Sequence, residues 1–511
     1  MTATHSQGKM ADLLKNTQIY FIGNVLNRLG AFLLIPLYTH YLTADQYGIL
    51  ELILVSVSLI RAFLGLNMGH ATLRFYFEYK TKEDQNQLTS TMVIFTGLWC
   101  LAFCVLFFFL SKSFSIWMTG TDRYVYLFQL AFIILCFEVV SEIPSAILRA
   151  QERAGMFVAA SCMNLLLRVG VNIYLVAMLQ KGVEGILIGN LIATAIIWGV
   201  LLAFTMRGIR LQYDYKKMAI LIQYSIPLAM AAIPGLLIKN ADRLFLGQYA
   251  SLTALGLYAL AMRFSMILEG FVLEPFYLGF GPFRFSIVDQ NNAKPTFARL
   301  MTYFTFLLSL AGLMIILFAP ELIAMVSTEA FQAADKIVPP LVLATMLQGM
   351  HYVFQSGLLI ANQTRLIPPI SAAAALLNFS ALYLLTQSLG AFGAALSVAL
   401  ASFLNTFLTY RLSQRYYPIP YEWDRITKII GAALFVYGLS LFAVDIGFWS
   451  GLLVKSVGVL VFLLLLFLGV TTQEEKEKMV FFRKKIGAFL TSHMASTEEP
   501  RHQETEKSKN A

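Results

Sequence analysis

The stretch NTQIYFIGNVLNRLGAFLLIPLYTH, residues 16–40, consists mainly of apolar side chains and carries one charged residue, Arg28. A helix crosses the hydrocarbon core of a bilayer with about 20 mainly apolar residues. Lipid offers no partner to the backbone, so a spanning segment must satisfy its own N–H and C=O groups. We therefore expect residues 16–40 to form a transmembrane helix with an arginine close to its middle.

The composition extends this interpretation to the whole chain. Of the 511 residues, 58% are hydrophobic and 13% are charged, whereas a soluble protein carries about 25% charged residues. The sequence predicts an all-α integral membrane protein. The four cysteines lack the spacing of metal ligands, so we expect no bound metal and no cofactor.

Further segments of suitable length and hydropathy follow along the chain, and we predict fourteen transmembrane helices in total. They cover approximately residues 16–40, 47–69, 88–111, 124–148, 155–180, 183–206, 218–238, 253–280, 297–318, 337–360, 366–388, 390–410, 427–445 and 451–471. Two neighbouring pairs are almost continuous, and very tight turns between their members would have to come from Gly182 and Gly185 and from Gly390 and Gly393.

The distribution of basic residues predicts the orientation. If the N-terminus is cytoplasmic, 27 of the 38 Lys and Arg residues lie on inner segments and six, among them Arg243, on outer loops. An excess of Lys and Arg marks the cytoplasmic side. Both termini are therefore expected inside. The net charge of +9 is then mainly a topology signal, and we expect no nucleic-acid partner.

An internal repeat divides the chain. A shift of 208 residues pairs Gly48 with Gly256 and Gly182 with Gly390. Six crossings in each half make the repeats parallel, which is a transporter architecture. The expected organisation is a cytoplasmic N-terminal segment (1–15), an N-lobe (16–206), a cytoplasmic linker (207–217), a C-lobe (218–410), a cytoplasmic loop (411–426), two C-terminal helices (427–471) and a partly disordered cytoplasmic tail (472–511).

Four arginines fall inside predicted helices. Arg28 and Arg168 lie near mid-membrane, and Arg61 and Arg263 lie less than two turns from that depth. A charge at the bilayer centre costs about 3 kcal/mol on insertion scales, so it is retained chiefly where it faces a cavity or a partner. Polar side chains share helix faces with two of these arginines, and the candidates for a polar cavity are Asn24, Asn27, Asn164 and Asn172.

A cluster of guanidinium groups favours an anion, and its planar fork suits phosphate oxygens. A lipid diphosphate would fit, because its tail can stay in the bilayer while its head group crosses through the protein. Candidate ion-coupling carboxylates are Glu138, Glu142, Glu269 and Glu274, which could carry protons or bind sodium. The same carboxylates could instead neutralise the arginines in salt bridges between helices.

The stretches NVLNRLGAFLLIPLYTHYLTADQYGILEL (24–52), GHATLRFYFEY (69–79), ILRAQERAGMF (147–157) and NADRLFLGQYASLTALGLYALAMRF (240–264) resemble the bacterial polysaccharide flippases of the multidrug/oligosaccharidyl-lipid/polysaccharide exporter superfamily. The resemblance implies a fourteen-helix transporter in the bacterial cytoplasmic membrane. Its substrate would be an undecaprenyl-diphosphate-linked oligosaccharide, and polysaccharide assembly proteins would be its partners. Lipid II flippases have functional arginines on the first, second and eighth helices, where Arg28, Arg61 and Arg263 lie here.

Three functions are compatible with these observations. The first is a flippase that moves lipid-linked oligosaccharide by alternating access for surface polysaccharide synthesis, without catalysis. The second is an ion-coupled multidrug exporter of the same superfamily, which would use carboxylates rather than arginines. The third is a membrane-embedded polymerase or ligase, which would need a large outer loop, whereas the longest one expected here is 319–336.

Overall fold

A computed structural model describes residues 23, 26, 30, 32–290, 292–442, 448–472 and 475. Every regular element within those residues is a helix, which confirms the all-α fold. The predicted N-terminal segment 1–15, most of the tail 472–511, and the candidate residues Asn24, Asn27 and Arg28 lie outside the described residues.

The elements are α1 (32–41), α2 (Ala44–Gly65), α3 (Met68–Glu78), α4 (Lys82–Thr119), α5 (Val125–Ala150), α6 (Ala154–Asn172), α7 (Gly182–Met206), α8 (Tyr215–Tyr249), α9 (Leu252–Leu268), α10 (Glu274–Ser286), α11 (Ala293–Val326), α12 (Val338–Ile360), α13 (Ile367–Tyr416), α14 (Trp423–Leu441) and α15 (Phe448–Gly469). π-helical turns occupy Ile173–Met178 and Glu269–Leu273, and 3-10 helices occupy Glu329–Ile337 and Thr364–Leu366.

Eleven helical stretches among the described residues are long and apolar enough to cross a membrane. One of them, Thr364–Tyr416, contains two predicted segments, 366–388 and 390–410. The total of fourteen remains a prediction. The expected outer loop 319–336 is largely helical, because α11 continues to Val326 and a 3-10 helix follows from Glu329.

The internal repeat is visible in local geometry. Gly182 and Gly390 both have φ of +56°, a left-handed conformation that glycine adopts without the steric cost of a Cβ. Gly182 begins α7, and Gly390 kinks α13 in the middle. This backbone conformation is compatible with the tight turns expected at these two positions, and the separate crossings on either side of them remain a prediction.

Helices α2 and α9 also correspond, and they start in the same way. The Thr43 hydroxyl accepts a hydrogen bond from the backbone N–H of Gln46, and the Ser251 hydroxyl accepts one from Ala254. Each cap satisfies a backbone donor that the first helical turn would leave unpaired. Thr43 and Ser251 are 208 residues apart, which is the shift of the repeat.

By packing, the described residues fall into two units. The first contains the residues up to Ser286 together with Phe318–Pro418. The second contains Ile287–Leu317 and the residues from Ile419 onward. This division does not follow the boundaries 206 and 218 of the expected lobes, and the lobes remain a prediction.

The second unit is held together by a polar cluster. Arg425 on α14 forms salt bridges of 2.8 Å with Glu422 and with Glu475. The Tyr303 hydroxyl on α11 donates to Glu475 over 2.6 Å, and the Thr302 hydroxyl donates to Glu422 over 2.7 Å. Hydrogen bonds to charged groups are stronger than neutral ones, so this cluster joins α11, α14 and the chain after α15.

Candidate functional site

Two polar cavities lie in the first unit, and both are bordered by helices that are long enough to cross a membrane. The first cavity has a volume of about 340 Å³ and is lined by α2, α5, α6 and α7. Its polar and charged lining residues include Arg61, Glu138, Glu142, Arg149, Asn164 and Arg168. Five of the six lie in predicted transmembrane segments, and three of those five are candidate substrate-binding residues.

Glu138 joins two arginines in the first cavity. One of its carboxylate oxygens lies 3.2 Å from Arg61 Nη1, and the other lies 3.2 Å from Arg168 Nη2. Arg61 also donates to Glu142 from Nη2 over 2.6 Å and from Nε over 3.1 Å. Arg61 and Arg168 therefore form the helix-to-helix salt bridges that the sequence offered as the alternative to a free anion site.

The first cavity still has polar groups available to a ligand. Arg61 retains 44% of its side-chain exposure despite its two carboxylate partners. Arg168 also donates to the Thr194 hydroxyl over 3.2 Å, but its buried Nε has no hydrogen-bond partner. The buried Oδ1 of Asn164 has none either. Buried polar atoms are usually paired, so these two unpaired atoms mark positions where a polar ligand would gain hydrogen bonds.

Asn172 is not among the residues that line the first cavity. It is fully buried, and its side-chain amide donates to the Tyr38 hydroxyl over 2.8 Å. It also packs closely against α7, since a Cβ added at Gly189 would come within 2.1 Å of Asn172 Oδ1. In this arrangement Asn172 joins α1, α6 and α7.

The second cavity has a volume of about 600 Å³ and is formed by α8, α9, α12 and α13. Its polar and charged lining residues include Asp242, Arg243, Glu269, His351, Asn378 and Asn405. Its buried atoms without a hydrogen-bond partner include Arg243 Nε, His351 Nδ1, Asn378 Oδ1 and Asn405 Oδ1. This interior is therefore also suited to a hydrophilic ligand or an ion.

The structure separates the two carboxylates predicted on the eighth helix. Glu269 lines the second cavity and opens the π-helical turn Glu269–Leu273. Glu274 begins α10 and is not among the residues that line either cavity. Pro275, which has no N–H to donate, directly follows Glu274. The π turn, which has i→i+5 hydrogen bonds in place of the α-helical pattern, lies directly before this break in backbone hydrogen bonding.

Arg263 pairs with Glu51, a carboxylate that the sequence did not indicate as a site residue. Its Nη2 lies 3.1 Å from Glu51 Oε2, and Arg243 Nη1 lies 2.9 Å from Glu51 Oε1. The placement of Arg243 in an outer loop was wrong, because α8 extends to Tyr249 and Arg243 is buried within it. Glu51 and Arg243 lie a few residues from the predicted ends of their segments, where a charged residue is common. The positions of charged residues along the predicted helices therefore did not single out Glu51 or Arg243.

These features define a multi-pass helical membrane protein with a polar, charged interior. The fold is similar to that of a lipid II flippase, MurJ, in an inward closed conformation, with a TM-score of 0.69 and 14% identity over 93% of this chain and 100% of that one. It is also similar to an inward-facing multidrug resistance transporter of the MATE family in the MOP superfamily, with a TM-score of 0.58 and 12% identity over 76% of this chain and 94% of that one.

Sequence comparison gives the family. Residues 13–278, just over half of the chain, match the family described as "Polysaccharide biosynthesis protein", and the chain belongs to that family. It is also 24% identical over 291 residues to an uncharacterized membrane protein of Haemophilus influenzae, which covers 55% of this chain and 67% of that protein.

Proposed function

We propose that the protein is a flippase that moves a lipid-linked oligosaccharide across the bacterial cytoplasmic membrane for surface polysaccharide synthesis. The substrate would be an oligosaccharide joined through a diphosphate to undecaprenol. It would enter from the cytoplasmic leaflet and leave in the outer leaflet, with both termini of the protein cytoplasmic. The protein would transport this substrate without chemically changing it.

The observation that carries the proposal is the position of the arginines. Arg61, Arg168 and Arg263 lie on membrane-spanning helices and contact other polar groups of the interior. The first cavity holds three arginines and two glutamates among its lining residues, so its charge remains positive after pairing. A positive, hydrogen-bonding interior suits an anionic diphosphate together with sugar hydroxyl groups.

Membership of the polysaccharide biosynthesis family supports a sugar-containing substrate, and the similarity to a lipid II flippase supports a lipid-linked one. Lipopolysaccharide and exopolysaccharide are the products that such a transporter would serve. Polysaccharide assembly proteins and membrane lipids would be its partners.

Ion coupling is part of the proposal. Glu138, Glu142 and Glu269 line the two cavities, where protonation or sodium binding would alter their pairing with nearby groups. Glu274 remains a candidate on its position in the sequence. These carboxylates also favour the second candidate function, an ion-coupled multidrug exporter, because interior carboxylates attract cationic drugs.

Export of surface polysaccharide in a strain that lacks the native gene tests the proposal. We expect Arg28→Ala and Arg263→Ala to abolish export while the protein remains in the membrane, and lysine at either position to restore it only partly. Arg415→Ala, at an exposed position near the end of α13, is the matched control. Normal export by the double alanine variant would refute the anionic interior, and loss of drug resistance with intact export would favour the exporter.

A further inference from the structure

The contact between α2, α8 and α9 is organised around one carboxylate. Glu51 on α2 is 4% exposed, and its two oxygens accept hydrogen bonds from Arg243 on α8 and from Arg263 on α9. It is the acidic group shared by these two guanidiniums. The three side chains therefore link the two halves of the repeat by charge.

The link is reinforced by close packing toward the start of α2. A Cβ added at Gly48 would come within 1.9 Å of the carbonyl oxygen of Leu252, and one added at Gly256 would come within 2.1 Å of that of Ala44. These two contacts are reciprocal under the shift of 208 residues. Asp45 accepts a hydrogen bond from the Thr253 hydroxyl at the same contact. We define this contact, from Asp45 and Gly48 to Thr253 and Gly256, as the α2–α9 seam.

The arginine pair is accessible to a ligand from two directions. Arg243 lines the second cavity, and Arg263 retains 32% of its side-chain exposure. Both guanidiniums have further partners. Arg243 Nη2 donates to the Lys239 carbonyl and to Asn240 Oδ1, and its Nε lies 3.6 Å from Asp242 Oδ1 without a hydrogen bond. Arg263 is hydrogen-bonded to the Tyr47 side chain, and its Nη1 contacts the sulfur of Met266 at 3.9 Å. Arg243 Nε is therefore open to a further oxygen atom, and a ligand that displaces Glu51 also gains Arg243 Nη1 and Arg263 Nη2.

We propose that Arg243 and Arg263 together bind the diphosphate of the substrate, and that Glu51 occupies this pair in the empty protein and is displaced when the diphosphate arrives. A diphosphate diester carries two negative charges on several oxygens, so it can satisfy both planar guanidiniums more fully than one carboxylate can. The inference rests on the proposed flippase function and assigns new roles to Arg243 and Glu51.

Displacement of Glu51 also explains how binding would change the conformation. Glu51 carries the ion pairs between α2 and the pair α8 and α9. Its release leaves the α2–α9 contact with packing, the Asp45–Thr253 hydrogen bond and the hydrogen bond between the Tyr47 and Arg263 side chains. With both termini cytoplasmic, the seam lies toward the outer face. A ligand shifts a conformational equilibrium by its difference in affinity for the two states. The diphosphate binds the state in which Glu51 is released, and so favours opening toward the outside.

The experiment uses the purified full-length protein in lipid nanodiscs, with Cys100, Cys104, Cys136 and Cys162 replaced by alanine. Asp45→Cys with Thr253→Cys reports closure of the seam through disulfide formation. Farnesyl diphosphate is the lipid diphosphate probe, inorganic pyrophosphate is the free one, and inorganic phosphate is the control ligand. Binding is measured in parallel by calorimetry on protein without the reporter cysteines.

We expect farnesyl diphosphate to lower the cross-linking yield several-fold, pyrophosphate to do the same at higher concentration, and phosphate to have no effect. Glu51→Gln should lower the yield without any ligand and bind farnesyl diphosphate about tenfold more tightly, because the internal competitor is gone. Glu51→Asp should retain the competition. Arg243→Gln should weaken binding about tenfold through loss of a charge-assisted contact.

Asp84→Asn is the matched control, because it removes a carboxylate from the Lys217–Asp84 salt bridge, which lies outside both cavities and the seam. It should change neither cross-linking nor binding. Wild-type protein that binds the diphosphate with an unchanged seam, or Glu51→Gln protein with wild-type affinity, would overturn the inference and leave the proposed function intact. Absence of any diphosphate binding, together with normal export by the Arg263 variant, would overturn both.

Discussion

Glu138 and Glu51 form the same kind of ion-pair arrangement in different parts of the protein. Each carboxylate lies between two arginines on different helices, Arg61 and Arg168 in one case and Arg243 and Arg263 in the other. For the buried Glu51–Arg243 pair, removing one partner leaves an uncompensated charge, which costs about 3–5 kcal/mol. One shared carboxylate offsets part of the cost of placing two guanidiniums within the membrane. It also leaves some of their N–H donors unused.

A pH-dependent stability is predicted at Glu475 in the second unit. Burial raises its pKa, but hydrogen bonds from Tyr303, the Thr472 N–H and Arg425 outweigh burial and lower the pKa to about 2. The unfolded value is about 4.3, so the stabilisation is complete above that pH and is lost as the pH falls toward 2. We expect Glu475→Gln to lower the melting temperature by a constant amount between about pH 5 and about pH 8, because this whole range lies above the pKa of the glutamate in the unfolded state.

Thermal unfolding in detergent at a series of pH values measures this effect. Asp424→Asn is the control, because the Asp424–Lys428 pair on α14 is largely exposed and exposed pairs contribute little. If the difference between Glu475→Gln and the wild type disappeared already near neutral pH, the ionised Glu475 would not be the stabilising group.

The sequence predicted some site residues and missed others for a physical reason. Arg61, Arg168 and Arg263 stand out because each interrupts a long apolar run. Glu51 and Arg243 lie near the predicted ends of such runs, where charges are ordinary, and only the packing of α2 on α8 and α9 shows that they are buried. Pairing partners cannot be read from a single chain, because they depend on which helices become neighbours.

At the scale of elements, glycines determine how closely helices approach. Gly48 and Gly256 allow α2 and α9 to meet with almost no space for a side chain. Overpacking of a tight contact costs about 1–3 kcal/mol. We expect Gly48→Ala to open the α2–α9 seam and to lower the yield of the Asp45→Cys and Thr253→Cys cross-link several-fold.

The control for this prediction is Gly97→Ala on α4, where an added Cβ would meet nothing within 4 Å. Alanine is favoured over glycine inside a helix by about 0.5–1 kcal/mol, so this variant should keep the cross-link and unfold at the same or a higher temperature. An unchanged cross-link in Gly48→Ala protein would mean that the seam does not depend on close approach.

The elements themselves were predictable to different degrees. The turns at Gly182 and Gly390 follow from their place between two apolar runs that leave no room for a longer loop. The π turn at Glu269–Leu273 was not foreseen, although Pro275 indicated a weakened backbone there, because hydropathy does not distinguish a π turn from an α turn. The end of α8 was placed too early because Lys239, Asp242 and Arg243 resemble a loop in sequence.

At the scale of the whole molecule, coupling to an ion gradient is the property most open to a direct test. If Glu138, Glu142 and Glu269 exchange a proton or a sodium ion, transport in vesicles should accelerate under the corresponding gradient. Glutamine at these positions should remove the acceleration while preserving binding of the lipid diphosphate. Equal rates with and without both gradients in the wild type would eliminate a coupling role for all three carboxylates and for Glu274.

We propose that a lipid diphosphate crosses the membrane through the arginine-containing interior. The most direct measurement is the transfer of a fluorescent polyprenyl-diphosphate oligosaccharide between leaflets of proteoliposomes, followed with a membrane-impermeant quencher. We expect the wild type to transfer the lipid at least about tenfold faster than Arg263→Ala, since a hydrogen bond to a charged group contributes about 1.5–3 kcal/mol. Equal transfer by the wild type, Arg263→Ala and protein-free liposomes would contradict it.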